Sequence, residues 1–192
     1  MSAVATPPLP QPTAPPLVTV EQFFRDHGDG GFELVKGRVI EVPMPGAKHG
    51  KVCQKVTRLV GNFVEERSLG HVMSNDTLIV LRRGPDTSRG ADVCFVSYAM
   101  LPPGDVPDGP LEVIPELVFE VRSPSDSWTD AIEKMLDYLK AGVQVVVIFD
   151  PKTTSATLFR SDVRQEMFEA GDTLAVPDLL PGFAVPVRQF FE

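Results

Sequence analysis

Apolar positions along this chain follow two rhythms, one helical and one strand-like. Over residues 50–67, Val52, Val56, Leu59, Val60, Phe63 and Val64 recur at helical intervals, which predicts a long amphipathic helix ending at Gly70. A shorter opening helix is expected after Thr19, running through Glu21, Gln22, Phe23 and Phe24 and halted by Gly28, Gly30 and Gly31. Phe32-Glu33-Leu34-Val35 and Val39-Ile40-Glu41-Val42 flank Lys36-Gly37-Arg38 and read as a hairpin with its glycine in the turn. Strand character returns over 71–73, 77–81 and 92–97, and again over 117–121. Ser123, Ser125 and Asp126 are then expected to cap a helix over 128–140, closed by Gly142, before the most hydrophobic strand, 143–149.

A strand, a helix and a second strand in that order predict a parallel pair joined by a right-handed crossover. Residues 155–159 add another strand, and shorter β pieces and turns follow Arg164, including Leu180-Pro181-Gly182-Phe183. The expected fold class is therefore α/β, with a mixed central sheet, flanking helices and an N-terminal hairpin. Residues 1–17, rich in proline, are expected to be a disordered leader, and 18–192 a single domain.

Composition narrows the setting. No apolar run approaches the roughly 20 residues needed to span a bilayer, and the start of the chain lacks the basic and apolar blocks of a signal peptide. Cys53 and Cys94 belong to no paired-cysteine motif, which suits the reducing cytoplasm. His27, His49 and His71 show no helical ligand spacing and no cysteine partner, so a zinc site is not expected. The net charge of −8, from 26 acidic and 18 basic residues, weighs against nonspecific attraction to nucleic acid. No basic stripe is evident along the chain.

The candidate chemistry begins with Glu120, a charge set inside the apolar strand Leu117-Val118-Phe119-Glu120-Val121 near its carboxyl end. Asp92 stands at the start of another apolar strand, beside Gly90 and Ala91, which leave room for close approach. Two carboxylates from neighbouring strands repel unless a proton or cation intervenes, and such oxygen ligands suit Mg2+ or Mn2+. Arg122 shares the Glu120 face at strand period, and Lys134 on the next helix is a second cation. Lys134 is the better candidate to activate water, Arg122 to clamp charge.

Pattern alone leaves other readings open. Glu120 is equally a buried structural acid, Asp92 a strand-start residue, Lys134 a solvated lysine beside the apolar face of Ile132, Met135, Leu136 and Leu139, Glu33 an exposed hairpin residue and His49 a capping or surface histidine. Tyr138, one turn beyond Lys134, lies on the same side of the helix.

The string from Pro115 to Ser125, then Glu133-Lys134, Tyr138, Ala141-Gly142-Val143 and Asp150-Pro151, resembles the Uma-two family of restriction-endonuclease-like proteins, within the PD-(D/E)xK nuclease superfamily. Phe32 to Gly37, His49, Gly90-Ala91-Asp92-Val93 and Leu180 to Phe183 extend the likeness to nearly everything from Val18 onward. The resemblance implies a restriction-endonuclease-like core with Asp92 and Glu120 as metal-binding acids. It also implies that Lys134 is the catalytic lysine moved onto the helix, and that Glu33 is an acid contributed by the first part of the fold. Ala91 stands where the family has proline, and Lys36 where it commonly has an acid.

The function expected is a Mg2+- or Mn2+-dependent endonuclease with Asp92, Glu120, Lys134, Arg122 and Glu33 at its site, acting on DNA in preference to RNA. Its setting would be the cytoplasm, off the membrane, and its assembly a homodimer that cuts both strands. The rivals are a nuclease-fold binding module without turnover and a hydrolase of smaller phosphate esters.

Overall fold

The computed structural model describes residues 15–192 apart from Asp105, Ser125 and Val163. Most of the leader expected over 1–17, and the capping role considered for Ser125, lie outside the described residues. Helix α1 (Val20–His27) starts at Thr19, whose hydroxyl accepts from the Gln22 N–H while the Gln22 side chain accepts from the Thr19 N–H. Its Val20 and Phe23 form a small core with Leu34 and Val80. Strands β1 (Phe32–Val35) and β2 (Arg38–Glu41) form the expected hairpin. Its turn residues Lys36 and Gly37 both take positive φ, 51° and 73°, the geometry a two-residue turn needs to match strand twist.

Helix α2 (Ala47–Glu66) begins three positions earlier than its apolar pattern suggests and ends before Gly70. Gly50 breaks the pattern but not the helix, so His49 lies inside it and is buried, not at a cap or on the surface. Val52, Val56, Val60 and Val64 form its buried stripe, each contributing roughly 1.5 kcal/mol by the area it removes from water. Strand β3 (Gly70–Arg82) joins what the sequence divides into two pieces. The division marks a β-bulge, because the pairing of β3 with β4 (Thr87–Ser97) shifts register between Ser74 and Thr77, where Asn75 and Asp76 take positive φ.

Strand β5 (Leu117–Val121), helix α3 (Trp128–Ala141) and strand β6 (Val145–Asp150) form the expected unit, with β5 and β6 parallel. The cap of α3 is Ser127, whose hydroxyl accepts from the Asp130 N–H, and Gly142 closes it with φ 114°. Strands β7 (Ser155–Arg160) and β8 (Gln165–Phe168) complete an eight-stranded sheet, ordered β2-β1-β4-β5-β6-β7-β8 with β3 on β4, and antiparallel except at β5–β6. Strands β9 (Thr173–Ala175) and β10 (Ala184–Pro186) pair separately, before a 3-10 turn over Val187–Phe190.

Helix α2 and the C-terminal segment cover one face of the sheet through Phe95, Phe119, Val147 and Phe149. Helix α3 covers the other face through Cys94, Val118, Val146 and Ile148. The buried side of α3 centres on Met135 and Tyr138, and Leu136 is exposed, so the face lies closer to Lys134 than an average over apolar positions indicates. Among the described residues no helix is long and apolar enough to cross a membrane.

Candidate active site

The site is a gap in the sheet. Strand β4 pairs with β3 along nearly its whole length, but its other edge is shared: β1 meets it at Ser88 and β5 at Val93 to Phe95. Between those contacts backbone groups of β4 and β5 at the gap are met by side chains. The Gly90 N–H donates to Glu33 Oε1 at 3.1 Å, and the Val121 N–H donates to Asp92 Oδ2 at 2.6 Å. Strands β4 and β5 diverge immediately after the pair Val93–Phe119, and Asp92 and Glu120 are the next residues of each.

Strand β4 starts earlier than its sequence suggests, so Asp92 lies inside the strand and opposite the bulge. Gly90 makes room for that bulge, since a Cβ there would stand 3.1 Å from the Asp76 carbonyl oxygen.

Glu33, His49, Asp76, Asp92, Glu120 and Lys134 converge on a cavity of about 150 Å³, whose lining also includes His27 and Asp126. Asp92 is held from the α2 side, with Oδ2 3.2 Å from His49 Nε2. Glu120 is held from the α3 side, with Lys134 Nζ 2.8 Å from Oε2 and the Tyr138 hydroxyl 2.9 Å from Oε1. The two carboxylates are thus anchored by opposite layers, yet both line one cavity because the sheet is open there. Lys134 Nζ also lies 3.2 Å from Glu33 Oε1, and Arg89 bridges Glu33 at 2.7 Å and Asp137 on α3 at 2.6 Å.

Arg122 is placed differently from its sequence reading. It does border a separate cavity on the α3 side, shared with Glu120 and Lys134. Its guanidinium, however, is fastened to Asp150 at 2.6 Å and the Asp126 carbonyl at 2.8 Å, and stacks over Trp128 at 4.2 Å.

Acids outnumber cations around the cavity, and their protonation shows it. Burial pushes Glu120 up to about 8, with Lys134 opposing and the Asp92 and Glu33 charges adding to the rise. Asp76 is exposed as a whole residue, yet partial burial of its carboxyl and the Asp92 charge hold it above the usual range. Asp92 is lowered: burial works against ionisation, but His49, Lys134 and the Val121 N–H outweigh it. Glu33 is lowered as Lys134 and Arg89 overcome its burial. Burial opposes the charge on Lys134, but Glu120, Glu33 and Asp92 hold the ammonium well above its ordinary value, making it a firm cation.

Several members of the cluster escape sequence reasoning. Asp76 is brought in by a bulge, and Arg89 carries no motif signal. His49 and Cys53 stand four apart on α2 with their side chains in contact at 3.4 Å, correcting the reading that no histidine has a cysteine partner at helical spacing. Starting the helix at Ala47 would have shown that pair.

No curated protein matches this chain in sequence. A crystal structure from Anabaena variabilis, described as a "putative nuclease belonging to DUF820", shares the fold with a TM-score of 0.77 and 20% identity, over 91% of this chain and 97% of that one. The model of the Uma2 (Uma-two) family, described as "Putative restriction endonuclease", matches residues 19–188, and the chain belongs to that family.

Proposed function

We propose that this protein is a divalent-metal-dependent endonuclease, with Asp92 and Glu120 as the residues that hold the ion. The observation that carries this reading is their meeting, with Lys134, at one gap in the sheet. The donor set fits a hard cation: it is built from carboxylate oxygens, and its acid excess favours a proton on Glu120 in the free protein. A cation can take that proton's place. When Mg2+ or Mn2+ is bound, it supplies Lewis-acid polarisation of the scissile phosphodiester.

The protein's own groups do the rest. Lys134 serves as a fixed ammonium that orients the attacking water and offsets charge growing on the phosphoryl oxygens, not as a base. Tyr138 fixes the rotamer of Glu120, and Glu33 with Arg89 fixes Lys134. Arg122, tied to Asp150, contributes charge at the rim. We favour DNA over RNA as substrate, a homodimer as the assembly that cuts both strands, and the cytoplasm as the setting for two free thiols.

A second reading, a nuclease-fold binding module without turnover, is favoured by the net charge of −8. Incubation with plasmid, single-stranded DNA and RNA in Mg2+ or Mn2+, with chelator, Asp92→Asn and Glu120→Gln controls, separates the two. Metal-dependent cleavage lost in both variants supports the endonuclease. Binding without cleavage by a folded protein supports the module.

A further inference from the structure

Asp92 faces two cavities. Beyond the one already described, a second of about 420 Å³ is lined by Cys53, Gln54, Thr57, Arg58, Ser74 and Asn75, and the two share Pro45, His49, Asp76 and Asp92. On this second side three different donor atoms come together. A nitrogen of His49, the sulfur of Cys53 and an oxygen of Asp92 all lie within 4.8 Å of one another.

The geometry points to a second cation site, formed by His49, Cys53 and Asp92, that binds Zn2+ or a cation of like softness and, by taking Asp92, switches off the hard-cation site.

The distances suit it. Zinc bonds of about 2.0–2.3 Å in a tetrahedron set ligand-to-ligand edges near 3.3–3.8 Å. His49 Nε2 stands 3.2 Å from Asp92 Oδ2 and 4.0 Å from Cys53 Sγ, so small rotations of side chains already in place close the polyhedron. The two helix ligands are four apart on α2 and share a face, and the third comes from the strand opposite the bulge. Three protein ligands leave a fourth position, which the cavity supplies with water. Thiol and imidazole select against Mg2+ and for Zn2+. On binding, the Cys53 thiol loses its proton to solvent and the S–H bond is replaced by a sulfur–metal bond. The acids that surround the site supply a field that draws a cation in.

Inhibition rests on the endonuclease reading; binding does not, and the two are tested apart. Co2+ is titrated into the full chain and followed by absorption. The expected result is a thiolate-to-cobalt charge-transfer band that saturates at one equivalent, is displaced by Zn2+, vanishes in Cys53→Ser and His49→Gln, and persists in Cys94→Ser. Zn2+ should also block reaction of Cys53 with a thiol reagent, while buried Cys94 contributes no reaction in either state. Absence of the band from the wild type, or its persistence in folded Cys53→Ser, overturns the site. In a cleavage assay with excess Mg2+, one equivalent of Zn2+ should stop the wild type and spare Cys53→Ser. Equal inhibition of both overturns the switch. If no cleavage is seen at all, the cobalt titration still decides the site, and only the endonuclease reading fails.

Discussion

Replacing Glu120 with glutamine should stabilise this protein above neutral pH, although it removes an acid paired with a lysine. Glutamine mimics protonated Glu120, and burial with neighbouring acids carries that carboxyl from 4.5 to about 8 even after Lys134 is counted. The folded chain therefore holds a proton that the unfolded chain releases. The Glu120 contribution to wild-type stability is fully present below about 4.5 and is lost as pH rises through about 8. At ~1.36 kcal/mol per pKa unit the whole interval is worth roughly 5 kcal/mol, and relaxation with water entry reduces it to about 2–4 kcal/mol. Lys134 keeps Glu33 as a partner in the variant, 3.2 Å away. Urea unfolding without divalent metal, from about pH 5 to about pH 9, should show the two proteins nearly equal at the acid end and the variant more stable at the alkaline end. Mn2+ should narrow the gap by stabilising the wild type alone. A variant less stable at every pH, or a difference that does not change with pH, refutes the picture of Glu120 as an acid that needs a cation.

The same cluster gives opposite signs for its other members. Lys134→Met strips the cation from Glu33 and Glu120 and should cost about 3–5 kcal/mol in urea unfolding, besides abolishing cleavage. Tyr138→Phe removes the hydroxyl beside Glu120 Oε1; calorimetry should find about 1 kcal/mol lost in stability and about ten-fold weaker Mn2+ binding.

The elements that a hydrophobic period can specify were legible in sequence: the stripe on α2, the hairpin turn at Lys36-Gly37, and the parallel pair around α3 all appear. What was hidden depends on contacts between distant segments. Ser74-Asn75-Asp76 reads as a break between two strands, and only pairing with β4 turns it into a bulge that carries Asp76 to Asp92. Gly50 reads as a boundary, yet the helix runs through it because Val52 and its partners repay the cost in packing, and this puts His49 into the site. A helical wheel places Lys134 away from the apolar centre, but its environment is set by Glu33 and Glu120, which come from two other elements. Asp92 and Glu120 were identifiable as charges in apolar strands; that they are anchored from opposite layers was not.

The net charge remains the main argument against a polyanionic substrate, and its distribution weakens that argument. Five acids, Glu33, Asp76, Asp92, Glu120 and Asp126, line the cavity where a cation would offset them. Along α2, Lys48, Lys51, Lys55 and Arg58 recur at helical spacing with no acid before Glu65, a basic stripe where the sequence reading finds none. Lys48 is engaged with the Pro151 carbonyl, whereas Lys51 and Arg58 are exposed and Arg58 borders the second cavity. If this face tracks a phosphate backbone, each cation contributes about one unit to the slope of log affinity against log salt. Replacing Lys51, Lys55 and Arg58 with alanine in the Glu120→Gln background, and titrating fluorescent duplex DNA at several salt concentrations, should reduce that slope by about three. An unchanged slope means the substrate reaches the cavity by another face, and a protein that binds no nucleic acid at any salt removes the reason to look for one.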